Sequence, residues 1–297
     1  MTVGTPPGGE TSLTIGMLAE AAGVSVKTVR YYSDQGLLPG GGRSAGGHRR
    51  YGPADLDRLR QLRGLRALGL ALPTAGEVAR GELPLERALA AQRADVARRL
   101  AELRWHEAAL AALAEAPEEL LTLGAALSRP PALDAMATFW RRVLPVRISA
   151  PLRAKVVAAT LPELPTEPTP AQALAYARLH ALAEDPALAA AARGQQPRCG
   201  GLDLVYAGAG EAYELALAEL ARGARPAAGE AVDLYVSAFA RAAGRADTVE
   251  FRRELAVIQF THPVVARYWS LVGELAGGRP TLGDAHEWIT TALRTAG

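Results

Sequence analysis

Thr14-Ile-Gly-Met-Leu-Ala-Glu-Ala-Ala-Gly-Val-Ser-Val-Lys-Thr-Val-Arg-Tyr-Tyr32, a glycine-rich stretch, and then Gly47-His-Arg-Arg-Tyr51 form the segment that decides the fold. The first part predicts a short helix around Ile15–Ala22 with Ile15, Leu18 and Ala19 on one face. Gly23 breaks it at the point where two helices joined by a tight turn need a permissive residue. Ser25 is suited to cap a second helix running to about Gln35, with Val26 and Val29 inward and Gly36 closing it.

The outward set of that second helix is Lys27, Thr28, Arg30 and Tyr31, with Ser25 at its start. These hydroxyl, ammonium, guanidinium and phenol groups can bond base edges and phosphates from a major groove. Downstream, Pro39-Gly-Gly-Gly42 and Gly46-Gly47 flank Arg43-Ser44-Ala45, which predicts a two-stranded ribbon. Its arms bring Arg43, His48, Arg49, Arg50 and Tyr51 beside the second helix. Residues 1–80 hold ten Lys+Arg against six Asp+Glu, a balance of +4, whereas the whole chain is +2. Positive charge therefore gathers where the motif expects DNA.

Thr14-Ile-Gly, Gly23-Val-Ser-Val-Lys-Thr-Val-Arg-Tyr-Tyr32, Gly36-Leu-Leu-Pro39, Gly46-Gly-His-Arg-Arg-Tyr51 and Asp55-Leu-Asp-Arg-Leu follow one another at the spacing of a known family. Over about residues 13–115 the chain resembles the MerR family of bacterial transcription regulators. One departure is Ser33, where members of that family usually carry an acidic residue after the paired tyrosines. The resemblance implies a winged helix-turn-helix over residues 13–82.

Pro53 marks the start of a further helix on which Leu56, Leu59, Leu62, Leu65 and Leu68 recur at spacing three among Arg58, Arg60, Arg63 and Arg66. A short helix near Thr74–Arg80 follows, with Thr74 and Glu77 as a capping box and Gly81 as its stop. Pro84 then opens the longest helical pattern, which ends before Pro117 and defines residues 83–116 as an element of its own. Leu85, Leu89, Gln92, Val96, Arg99, Leu103, His106, Leu110 and Leu113 alternate by four and three residues, the spacing of a coiled-coil seam. The dimerisation candidates are its apolar members, Leu85, Leu89, Val96, Leu103, Leu110 and Leu113. The resemblance implies that this helix pairs antiparallel with its copy in a homodimer, so that protein symmetry matches two half-sites on DNA. It also implies a mechanism: the dimer sits on promoter DNA whose elements are too far apart and distorts it so that RNA polymerase engages both.

Residues 117–297 carry apolar positions at helical spacing and no alternating β-branched run, which predicts an all-helical effector or interaction domain of about eight to ten helices. The Pro-rich Leu161–Pro170 and the segment Gln195–Leu204 are its expected loops. The fold class is thus mainly α: a winged helix-turn-helix, a long coiled-coil helix and a helical C-terminal domain. The domain lacks the patterns of a metal sensor, a cobalamin module or a β-rich multidrug module. Aromatic and histidine side chains at helical spacing supply the candidates for a small-molecule effector pocket: Trp140, Tyr176, His180, Tyr235, Tyr268 and Trp269.

Composition bounds the rest. The 49% hydrophobic content supports a core, with no continuous apolar run long enough to span a membrane. The first twelve residues lack a charged start and an apolar stretch, and are expected to be a disordered tail of a cytoplasmic protein, not a signal peptide. The single cysteine, Cys199, excludes an internal disulfide and a cysteine cluster for a metal, and no cofactor is expected. No P-loop, nucleophile elbow or zincin helix is present, so no enzyme is expected. A second reading from another class is a DNA-bound architectural or interaction protein whose helical domain docks a protein partner and senses no metabolite.

Overall fold

The structure, a computed structural model, describes residues 12–40, 42–44, 46–258 and 261–295. The expected tail, apart from its last residue, and Phe260 lie outside them. Among the described residues there are helices and isolated bridges but no strand, which agrees with the mainly α fold class. The chain divides into two compact units between Arg99 and Leu100. That division falls inside one long helix, whereas the sequence suggested boundaries at its two ends.

The N-terminal unit begins with α1 (Ile15–Ala22) and α2 (Val26–Asp34). The Thr14 hydroxyl accepts the Met17 N–H and caps α1, while Gly23 in the left-handed region (φ 63°) terminates it. Leu18, Ala19 and Val29 are buried as expected, but Val26 is 40% exposed. It occupies the first turn of α2, three residues before Val29, on a side the core does not reach. Helix α3 (Pro53–Ala67) buries Leu59, Leu62 and Leu65. Spacing of three lags the helical period by about 60° per step, so Leu68 has rotated out of that stripe and is exposed.

Helix α4 (Leu72–Arg80) starts two residues before the expected Thr74, with Ala71 at the cap and Pro73 in the first turn. No side chain caps it, so the Thr74–Glu77 capping box is not formed. Gly81 ends α4 with φ 76°, as its position suggested. Helix α5 (Leu85–Glu115) is continuous over 31 residues.

The C-terminal unit takes the last part of α5 and adds a 3-10 turn (Pro117–Glu119) and ten α-helices among the described residues. These are α6 (Leu120–Ala126), α7 (Asp134–Val143), α8 (Ala150–Thr160), α9 (Pro170–Glu184), α10 (Pro186–Gly194), α11 (Leu202–Ala221), α12 (Glu230–Ala243), α13 (Val249–Ile258), α14 (Pro263–Leu275) and α15 (Leu282–Thr295). The Pro-rich loop joins α8 to α9, where Thr169 and Gln172 form a capping box.

Two main cores fill this unit. One gathers Trp105, Ala108, Ala109 and Ala112 of α5 with residues of α6, α7, α9, α10 and α14. The other joins α11, α12, α13 and α15. Trp105 of α5 and Tyr176 of α9 meet ring to ring, edge-on, at 5.0 Å. Gly208 is similarly required, because a Cβ there would lie 2.5 Å from that of Ala238 on α12.

Candidate functional site

The first candidate site is built on α2. Ser25 caps it by accepting the Thr28 N–H, and the two hydroxyls lie 2.8 Å apart. Both side chains therefore set the start of the helix. One turn along, Lys27, Arg30 and Tyr31 are exposed, with Tyr31 at 53%. Thr28 is half-buried between them and the cap.

The ribbon is held as two antiparallel bridges, Arg43 with Arg49 and Leu13 with Tyr51. It is tied to α2 by Arg49, whose guanidinium reaches Asp34 at 2.7 Å and donates to the Ser33 hydroxyl at 3.1 Å. The Asp34 carboxylate raises the Arg49 pKa further above its usual range. Ser33, the departure from the family pattern, thus receives hydrogen bonds from Arg49 and from the Tyr51 hydroxyl (3.3 Å). Arg43 and His48 are exposed and Arg50 is half-buried. Tyr51, proposed from sequence as a DNA contact, is only 1% exposed. Its ring is part of the N-terminal core, and its role is to hold the ribbon against α2.

Sequence reasoning missed Asp55. This buried carboxylate accepts the Gly52 N–H at 2.8 Å and the Gly40 N–H at 3.2 Å, closing the base of the ribbon onto the start of α3. A carboxylate three residues after the cap position was the available signal for the first contact. Most of the arginines on α3 have local structural work. Arg63 donates to the Ala22 carbonyl at 2.6 Å and Arg60 to the Ala21 carbonyl at 3.4 Å, satisfying the end of α1. Arg66 reaches the Leu70 carbonyl.

On α5 the seam candidates divide. Leu85, Val96, Leu103 and Leu110 are exposed, the last two at 64% and 70%, and Leu100 adds to them. Leu89 packs against the core of the N-terminal unit and Leu113 against that of the C-terminal unit.

The C-terminal unit holds a cavity of about 330 Å³ that opens to solvent. Of the six pocket candidates, Trp140, Tyr235 and Trp269 line it. Tyr176 does not: it is buried in the first core, with its hydroxyl bonded to both the N–H and the carbonyl of Ala132 at 3.0 Å. His180 lies beside Tyr176 one turn away and is also outside the lining. Tyr268 is fully buried behind the wall, where its oxygen accepts the Trp140 indole N–H at 2.8 Å.

The sequence choice missed Tyr206, Tyr213, Phe239 and His286, which also line the cavity. Tyr206, Gly210 and Tyr213 recur at four and three residues on α11, a stripe that helical spacing does reveal. The Tyr213 hydroxyl lies 3.0 Å from His286 Nδ1, and burial pushes the His286 pKa down to about 4. Burial also pushes the Tyr206 phenol up to about 12 and those of Tyr213 and Tyr235 well above their usual value. Among the described residues no group of His, Cys, Asp and Glu could hold a metal ion, and no helix is long and apolar enough to cross a membrane.

With this geometry established, comparison with known proteins gives the following. Residues 13–82 match the family model described as MerR HTH family regulatory protein. The mercuric resistance operon regulatory protein of Serratia marcescens is 45% identical over 69 residues, 23% of this chain and 48% of that protein. The HTH-type transcriptional activator TipA of Streptomyces coelicolor is 51% identical over 61 residues, 20% of this chain and 24% of TipA. The chain thus spans at most about half the length of these relatives, and the matched parts are short. A crystal structure of a transcriptional regulator of the MerR family from Bacillus cereus is 21% identical, covering 50% of this chain and 95% of that one, with a TM-score of 0.26.

Proposed function

Residues 13–82 belong to the MerR helix-turn-helix family, and from that premise we propose that the chain is a dimeric, sequence-specific transcription regulator that binds promoter DNA. The observation that carries this reading is the single outward face of α2. Lys27, Arg30 and Tyr31 stand exposed on it, and the Arg49–Asp34 pair fastens a basic ribbon to the same helix. A helix and a ribbon so joined present one surface to two parts of a duplex: α2 to the major groove and the ribbon to the flanking phosphates.

Dimerisation through the exposed apolar residues of α5 supplies the second half-site, and the partner on that face is a second copy of the chain. The dimer sits between promoter elements and bends and untwists them for RNA polymerase when the C-terminal unit responds to a signal. Deforming the duplex costs several kcal/mol, so small changes in dimer geometry switch the output. The protein acts in the cytoplasm and carries no catalytic step in this reading.

The test is operator affinity across a salt series. Arg30→Ala should narrow the discrimination between operator and unrelated DNA, relaxing specificity at one base pair by about 1–3 kcal/mol. Arg43→Ala should weaken both and lower the salt slope by about one. If both variants bound as the parent does, α2 and the ribbon would not be the DNA face.

A further inference from the structure

DNA binding leaves the cavity of the C-terminal unit unused. Its walls are chemically uneven. Trp140 and Trp269 face each other with ring centroids 5.8 Å apart and planes 34° from parallel. The indole N–H of Trp140 is already given to Tyr268, so this ring offers its π face and no polar group. The Trp269 ring is seated against Gly283, where a Cβ would lie 2.3 Å from the ring. Phe239 lies beside Tyr235 with ring centroids 4.9 Å apart and planes tilted by 42°.

One polar line runs through this apolar lining. The Tyr235 and Tyr213 rings lie side by side with centroids 6.0 Å apart, and the Tyr213 hydroxyl lies 3.0 Å from His286 Nδ1. In the tautomer in which Nδ1 accepts the Tyr213 proton, the neutral imidazole carries its N–H on Nε2 and can donate it. The charged lining residues Lys155, Glu211 and Glu214 are all exposed, so their charges sit in water and not among the rings. A charged ligand group pressed among the rings would give up its water.

We propose that this cavity binds a compact, uncharged aromatic molecule bearing one hydrogen-bond acceptor. Its rings lie against Trp140, Trp269 and Phe239, and its acceptor takes the His286 N–H. The volume, about 330 Å³, falls within the usual range for small-molecule sites and is suited to two or three rings. Naming it the effector site rests on the regulator reading above. Occupancy is tested without DNA, so failure of this proposal and failure of that reading are separate results.

The probe is prodan, a neutral naphthalene ketone whose emission reports both polarity and hydrogen bonding to its carbonyl. It should saturate the full-length protein at one per chain with blue-shifted emission. Its quaternised trimethylammonium derivative should bind at least about tenfold more weakly, the equivalent of about 1.4 kcal/mol. Ala207 lines the cavity but is exposed, so Ala207→Trp can occlude the cavity without disturbing the core and should eliminate binding. His286→Phe should weaken binding about tenfold and shift the bound emission further to the blue, as expected for a lost charge-neutral donor. Absence of saturable binding, unchanged affinity in an Ala207→Trp protein with a parental melting curve, or equal affinity for the charged derivative would each overturn the proposal.

Discussion

Asp55 and His286 show what single residues contribute to the two units. Asp55 satisfies two backbone N–H groups that burial would otherwise leave without partners. Asp55→Ala should therefore cost about 1–3 kcal/mol, measured by chemical denaturation, and loosen the ribbon that carries Arg43 and Arg49. An unchanged denaturation midpoint would show that the clamp is dispensable. His286 is governed by desolvation first and by the positive charge of Arg294 second, both of which favour the neutral ring.

Folding thus holds the His286 pKa near 4, against 6.5 for an ordinary histidine. Between these values the unfolded chain binds a proton that the folded chain refuses. The contribution of the neutral ring is complete above the unfolded value and is lost as pH falls through the window toward 4. The loss is on the order of 3 kcal/mol. Melting temperatures of the parent should fall more steeply across that window than those of His286→Phe. Parallel curves would mean that the imidazole titrates normally in the folded protein.

At the scale of elements, α5 has two faces with different fates. Its alanine and tryptophan side is buried in its own unit, whereas Val96, Leu100, Leu103 and Leu110 remain exposed on the opposite side. A double change, Leu103→Glu with Leu110→Glu, should leave helicity intact and convert a dimer into a monomer in sedimentation analysis. Persistence of the dimer would place the interface elsewhere. The 4-3 spacing singled out six apolar positions of α5, of which Leu85, Val96, Leu103 and Leu110 are exposed. The outward face of α2 was legible because a cap and a buried Val29 fix which side faces out.

Other elements resisted reading for physical reasons. Tyr51 sits in a basic run that suggests solvent, yet its bridge to Leu13 turns the ring into the core. The contact from Asp55 to Gly40 crosses 15 residues of chain and leaves no periodic trace. The pocket was half legible. Helical spacing identified aromatic residues that share a face, but it does not distinguish a face toward a core from one toward a cavity. Tyr176, Tyr268 and Trp140 have the same pattern, and only the packing of α7, α9 and α14 separates them. Thr74 illustrates a smaller limit: Pro73 fits the first turn of a helix, so α4 could begin before the residue best suited to cap it.

At the scale of the whole molecule, α5 runs from the N-terminal helix-turn-helix unit into a C-terminal unit that holds an aromatic-lined cavity. The central claim is that two copies act together on one symmetric site. It is tested most directly by selecting bound sequences from a random duplex pool with the full-length protein and footprinting the best of them. An enriched inverted repeat is expected, with half-sites about one helical turn or a multiple apart, protected as a unit. Binding to all duplexes alike, lost as salt rises and with no enriched sequence, would contradict it and leave a protein that coats DNA without reading it.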